Sequence, residues 1–122
     1  MRTLGTPFYL SPEICEGKKY AKKSDVWSLG CILYELTTLK RAFNGRNLPA
    51  LVLKILRGTY PPIPSYYSRD LQSLIDRMLQ QDPSQRPSIS QVSFITYHLH
   101  HFSMPKAIAP LRLQSAPVVL IK

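Results

Sequence analysis

The chain has 122 residues and a formal net charge of +9, with 44% hydrophobic and 19% charged residues. That length makes one domain at most, and the composition is that of a globular protein. A basic balance suits nucleic acid, an anionic membrane surface or acidic peptides, but no aromatic–basic RNA motif, zinc-ligand spacing or heptad repeat accompanies it, so nucleic acid is set aside. No run reaches membrane-spanning length, and the N-terminus lacks the apolar core of a signal peptide. Cys15 and Cys31 read as reduced and structural, which places the protein inside the cell, in the cytoplasm or in association with cytoskeleton or nucleus.

Residues 1–10 should be loop, since Gly5 and Pro7 break any helix. A short helix follows, with Ser11 as N-cap, Pro12 as first helical residue and Gly17 beyond its end. Lys18, Lys19, Lys22 and Lys23 surround Tyr20. They form either a solvated loop or a dock for acidic substrate or phosphate. Residues 24–39 predict a helix capped by Ser24 or Asp25. Val26, Trp27, Leu29, Cys31, Ile32, Leu33, Leu36 and Leu39 cover almost its whole circumference, the pattern of a helix buried in the middle of a domain. Gly30 in its interior suggests close approach by a neighbour.

A loop over 40–47, anchored by Phe43, leads to a second helix. Leu48, Leu51, Val52, Ile55 and Leu56 recur at the spacing of one helical face, and Gly58 closes the helix. Pro61, Pro62 and Pro64 require an extended linker. Leu71, Leu74, Ile75, Met78 and Leu79 repeat the helical spacing behind a Ser68 cap. Asp82-Pro83 starts a turn, and Ser88 with Gln91 forms a capping box that opens a helix running to about Tyr97. From residue 93 onward there is no acidic residue, and the three histidines, His98, His100 and His101, have neither the spacing nor the neighbours of a metal site.

Three motifs in order carry a resemblance. Gly5-Thr6-Pro7-Phe8-Tyr9-Leu10-Ser11-Pro12-Glu13 resembles the end of a eukaryotic protein-kinase activation segment. Asp25-Val26-Trp27-Ser28-Leu29-Gly30 looks like the start of the central helix of the large lobe. Asp82-Pro83-Ser84-Gln85-Arg86-Pro87-Ser88 is similar to a turn near the end of that lobe. The finer match, through Leu39-Lys40-Arg41-Ala42-Phe43 and Leu51-Val52-Leu53-Lys54-Ile55, is to the NIMA-related serine/threonine kinases. The resemblance covers about residues 2–92.

It implies a mainly α fold, part of the C-terminal (large) lobe of the eukaryotic protein-kinase fold. Residues 1–13 would end the activation segment, 11–97 would form the lobe helices, and 98–122 would be a disordered tail. It also implies roles. Thr6 would bond the catalytic loop, and Pro7, Phe8 and Tyr9 would shape the pocket for the residue after the phosphoacceptor. Thr3 stands either where family members carry an activating phosphate or as an unordered terminal residue. Glu13 would pair with Arg86, beside Trp27, rather than leave two separate surface charges. Asp25 would hold the catalytic-loop backbone from inside the lobe.

Kinase chemistry needs a Gly-rich loop, a strand lysine, an H-R-D loop and a D-F-G aspartate. None occurs in this sequence. ATP and Mg²⁺ are therefore expected of a complete kinase, while this chain has no catalytic residue, cofactor site or metal site of its own. Two functions compete: a fragment of a NIMA-related serine/threonine kinase, inactive alone, or a non-catalytic helical module that docks substrates or regulators. The expected partners are proteins, with no nucleic acid and no membrane. The faces of Val26, Leu29, Ile32 and Leu33 are expected to stay poorly covered, which invites self-association or chaperone binding.

Overall fold

A computed structural model describes residues 7–103, with side chains described for 7–98. Five α-helices and one 3₁₀ turn follow one another: α1 (Pro12–Cys15), α2 (Lys22–Thr38), α3 (Leu48–Arg57), α4 (Arg69–Met78), the 3₁₀ turn Pro83–Gln85, and α5 (Ile89–Ser103). No strand occurs among the described residues. The fold is mainly α, as a partial large lobe requires.

The helix ends follow local chemistry. Asn47 and Ser68 accept from the N–H groups of Ala50 and Leu71, so each satisfies a first-turn donor. Gly58 ends α3 at φ 67°, where a side chain would be strained. Ser88 and Gln91 complete the reciprocal capping box at the head of α5. That helix continues to Ser103, beyond the expected Tyr97.

The central helix departs from expectation at its start. It begins at Lys22, so neither Ser24 nor Asp25 is its N-cap. Ser24 sits one turn inside, and its Oγ accepts from the Ala21 N–H at 3.3 Å. This is half of a capping box, because the Ala21 side chain has no acceptor and only its carbonyl takes the Ser24 N–H, at 2.9 Å. Ser11 does occupy the N-cap of α1, yet its hydroxyl makes no capping bond.

Two groups of buried side chains flank α2. On one side Trp27, Cys31 and Tyr34 meet Phe43, Leu51, Ile55, Ile63, Ile75 and Leu79. Trp27 stacks on Phe43 with ring centroids 5.2 Å apart, and the Tyr60 ring meets both Tyr34 and Phe43 edge-on. On the other side Val26 packs with Leu74, Met78 and Val92. Gly30 lies at the crossing of α2 and α4. A Cβ there would come within 2.9 Å of the Met78 Cβ, so the glycine permits the close approach.

The second group corrects one expectation. Val26 is 1% exposed, covered by α4 and α5. Leu29 and Leu33 pack partly against the same group. Ile32 is half-buried and belongs to neither group, Leu36 is 67% exposed, and Leu39, just past the helix end, is 87% exposed.

Candidate functional site

Residues 7–10 form a turn at the edge of the first core group, closed by the Leu10 N–H donating to the Pro7 carbonyl. α2 fixes this turn through residues a helical turn or two apart. The Ser28 hydroxyl donates to the Tyr9 carbonyl at 2.9 Å. The Tyr9 hydroxyl donates to Glu35 Oε1 at 2.7 Å. That bond, then burial and the Glu35 charge, raise the Tyr9 pKa, so the phenol stays protonated and keeps donating. The Arg41 guanidinium lies 3.8 Å over the Phe8 ring, a cation–π contact from the α2–α3 connection. Phe8 and Tyr9 are thus held on both sides while remaining half-exposed. Thr3 and Thr6 lie outside the described residues.

Below the turn, α1 is bound to the rest of the molecule by Glu13. Arg86 grips its carboxylate with two parallel bonds, Nη1 to Oε2 and Nη2 to Oε1, each 2.8 Å. The Ser24 hydroxyl adds a third bond to Oε2 at 2.7 Å. The other Arg86 N–H groups reach the carbonyls of Gln80, Lys23 and Gln81. All five guanidinium donors therefore have acceptors, a pattern that lysine with one ammonium cannot reproduce. Trp27 screens the pair, with the Arg86 guanidinium carbon 5.1 Å from its ring centroid.

The electrostatics follow from this geometry. Burial alone would raise the Glu13 carboxyl, but the hydrogen bonds from Arg86 and Ser24, with the Arg86 charge, outweigh it and hold the pKa at about 2. Burial pushes the Cys31 thiol up to about 12, so it packs as a small apolar group and not as a nucleophile.

Two further side chains lie near this pair. Asp25 is solvent-exposed in the first turn of α2, next to Ser24, which bonds Glu13. Of the four lysines around Tyr20, Lys23 points inward, and its ammonium donates to the Arg86 carbonyl at 2.7 Å. Lys18 pairs with Glu16 at 3.3 Å.

Ser24, Ser28, Glu35 and Arg41 are not among the expected site residues, and Lys23, expected in a solvated loop or an anion dock, instead bonds the Arg86 carbonyl. Ser24, Ser28 and Glu35 carried a signal, because i, i+4 and i+11 share one face of a helix. Arg41 lies in a connection whose path no periodicity fixes, and Lys23 lies in the first turn of α2, ahead of the expected helix start. Among the described residues no group of three or more His, Cys, Asp or Glu side chains could hold a metal ion, and no helix is long and apolar enough to cross a membrane.

A loop pinned by a central helix, over a buried Glu–Arg pair tied to a D-P-x-x-R-P turn, is the layout of a kinase large lobe. The protein kinase domain model matches residues 1–98, so the chain belongs to the protein kinase family. It is 50% identical over 109 residues to mouse "Serine/threonine-protein kinase Nek1", covering 87% of this chain and 9% of that protein. It is 60% identical over 89 residues to zebrafish "Serine/threonine-protein kinase Nek8", covering 73% of this chain and 13% of that protein. A third relative, human "Serine/threonine-protein kinase Nek5", is 55% identical over 89 residues, 73% of this chain and 13% of its own length. Within the family the chain is of the NIMA-related type. It spans about a tenth of the length of these relatives.

Proposed function

We propose that a protein carrying this chain within a complete catalytic domain transfers the γ-phosphoryl group of ATP to serine or threonine of protein substrates. The chain's share of that task is to support the peptide beside the acceptor. The observation that carries this reading is the turn of residues 7–10, held by Ser28, Glu35 and Arg41. A rigid apolar edge offered to a peptide raises rate by positioning, which is most of what a protein supplies in phosphoryl transfer.

Within this proposal Thr6 bonds the catalytic loop and Thr3 is a site of activating phosphorylation. The Glu13–Arg86 pair, with Trp27, keeps α1 and the turn above it at a fixed height on α2. Asp25, exposed here, is the acceptor offered to catalytic-loop backbone. The side chains of the described residues do not fit the nucleotide or its metal: they present no carboxylate cluster for Mg²⁺ and follow no phosphate-binding Gly-rich motif. Both groups belong to other parts of a complete kinase.

The experiment is steady-state peptide phosphorylation by a protein that joins this chain to a complete catalytic domain. Substrates would vary at the residue after the acceptor. Phe8→Ala and Tyr9→Phe should change the ranking of these substrates and raise KM more than they lower kcat. An unchanged ranking with intact activity would refute the substrate-facing role of the turn. The 122-residue chain alone should transfer no phosphate, and labelling of an acceptor by the purified chain would refute the division of labour.

A further inference from the structure

The last turn of α3 is closed by a side chain from outside it. A helix leaves its final carbonyls without intrahelical donors. In α3 the Gly58 N–H takes the Lys54 carbonyl. The next two carbonyls go to Gln81, whose Nε2 donates to Ile55 at 3.2 Å and, more closely, to Leu56. The fit is tight, since a Cβ on Gly58 would collide with the Gln81 carboxamide. Gln81 stands in the connection between α4 and the 3₁₀ turn, where no helical spacing marks it.

The same residue holds the buried ion pair. The Gln81 carbonyl accepts from Arg86 Nη2 at 3.3 Å, and that nitrogen also donates to Glu13 Oε1 at 2.8 Å. A continuous line of hydrogen bonds therefore runs from the carboxylate on α1, through Arg86 and Gln81, to the last turn of α3. α3 also lies against α1. Its Leu51 and Ile55 belong to the buried group on which Phe8, Tyr9 and Leu10 rest. A shift at the end of α3 would move that floor.

We infer that Gln81 is a positioning residue: its carboxamide sets the end of α3 and its carbonyl the Arg86 guanidinium, so that α1, α3 and the turn of residues 7–10 are held as one body. The carboxamide brings two N–H donors to two carbonyls, which an apolar side chain of the same length leaves unpaired. The coupling stands on these contacts alone. Its consequence for catalysis rests on the reading of residues 7–10 as support for the substrate peptide.

Amide hydrogen exchange on the full 122-residue chain tests it. The amides to read are Gly58 at the end of α3, Leu10 in the turn, Cys15 in α1, and Gln72 at the head of α4 as control. Gln81→Met keeps the length and loses the donors. It should speed exchange at Gly58, Leu10 and Cys15 by about tenfold, the scale of one lost hydrogen bond, and leave Gln72 nearly unchanged. Gln81→Lys, whose ammonium can donate to the same carbonyls, should retain most of the protection. Acceleration at Gly58 alone would make Gln81 a local cap and overturn the inference. So would equal acceleration at every amide, Gln72 included, or equal effects of the two substitutions. In a protein that joins this chain to a complete catalytic domain, Gln81→Met should raise KM for peptide more than it lowers kcat, and Gln81→Lys should not. Faster exchange at Leu10 and Cys15 with unchanged peptide kinetics would uphold the coupling and count against the substrate-facing role of the turn.

Discussion

The two ends of α2 treat their polar and apolar groups in opposite ways. At its start Ser24 and the Lys23 carbonyl join a buried carboxylate and a guanidinium whose five donors are all used. At its end an exposed leucine holds a backbone conformation that glycine would hold with less strain. The first end is over-determined: removing any member strands another inside the protein. The second end has slack, and a substitution there improves the fold. A single helix thus carries a fixed anchor for α1 and the turn above it, and an end whose apolar side chains are exposed in this chain.

The largest expected effect lies at the anchor. Arg86→Ala leaves the Glu13 carboxylate buried and unpaired, which costs about 3–5 kcal/mol. Against a total of about 5–15 kcal/mol for a small domain, that should remove most of the cooperative transition in a urea titration followed by circular dichroism. Acid should act on the same pair. The Glu13 pKa falls from an ordinary 4.5 to about 2 on folding. The pair's contribution is therefore complete above pH 4.5 and is lost as pH falls toward 2. The loss amounts to about 3 kcal/mol, and a Glu13→Gln variant should show a flatter stability profile across that window.

A smaller effect belongs to the helix crossing. Gly30→Ala inserts a methyl 2.9 Å from the Met78 Cβ and 3.0 Å from a Leu79 methyl. It should destabilise by about 1–3 kcal/mol, as overpacking does. The smallest effect has the opposite sign. Leu39→Gly should stabilise by about 1 kcal/mol through relief of the left-handed strain, read as a modest rise in Tm. If Arg86→Ala and Leu39→Gly shifted stability equally, the contrast between the ends of α2 would vanish.

Helix identities were legible in the sequence wherever spacing and caps agreed. Asn47 excepted, the terminal residues Gly58, Ser68 and Ser88 could be named from residue type alone. The start of α2 was misplaced because Ala21 is no capping residue, and the helix is held there by Ser24 from within. Exposure along α2 was misread for a related reason. An apolar residue at every turn suggested burial all round, yet which turns are covered depends on where α4 and α5 cross. Those crossings put Val26 in the core and left Leu36 and Leu39 outside. At the site, charge type and motif order pointed to Glu13 and Arg86. The contacts of Glu35 with Tyr9 and of Arg41 with Phe8 depend on the path of two loops, which carry no period to read.

The central claim is that Glu13 and Arg86 act as one unit that fastens α1 to the lobe. A double-mutant cycle tests it most directly: Glu13→Gln, Arg86→Lys and the double variant, each unfolded in urea at neutral pH. The expected result is a strong coupling, with the double variant losing far less stability than the two single losses added together. Single losses that add to within about 0.5 kcal/mol would contradict the account, because independent groups behave that way.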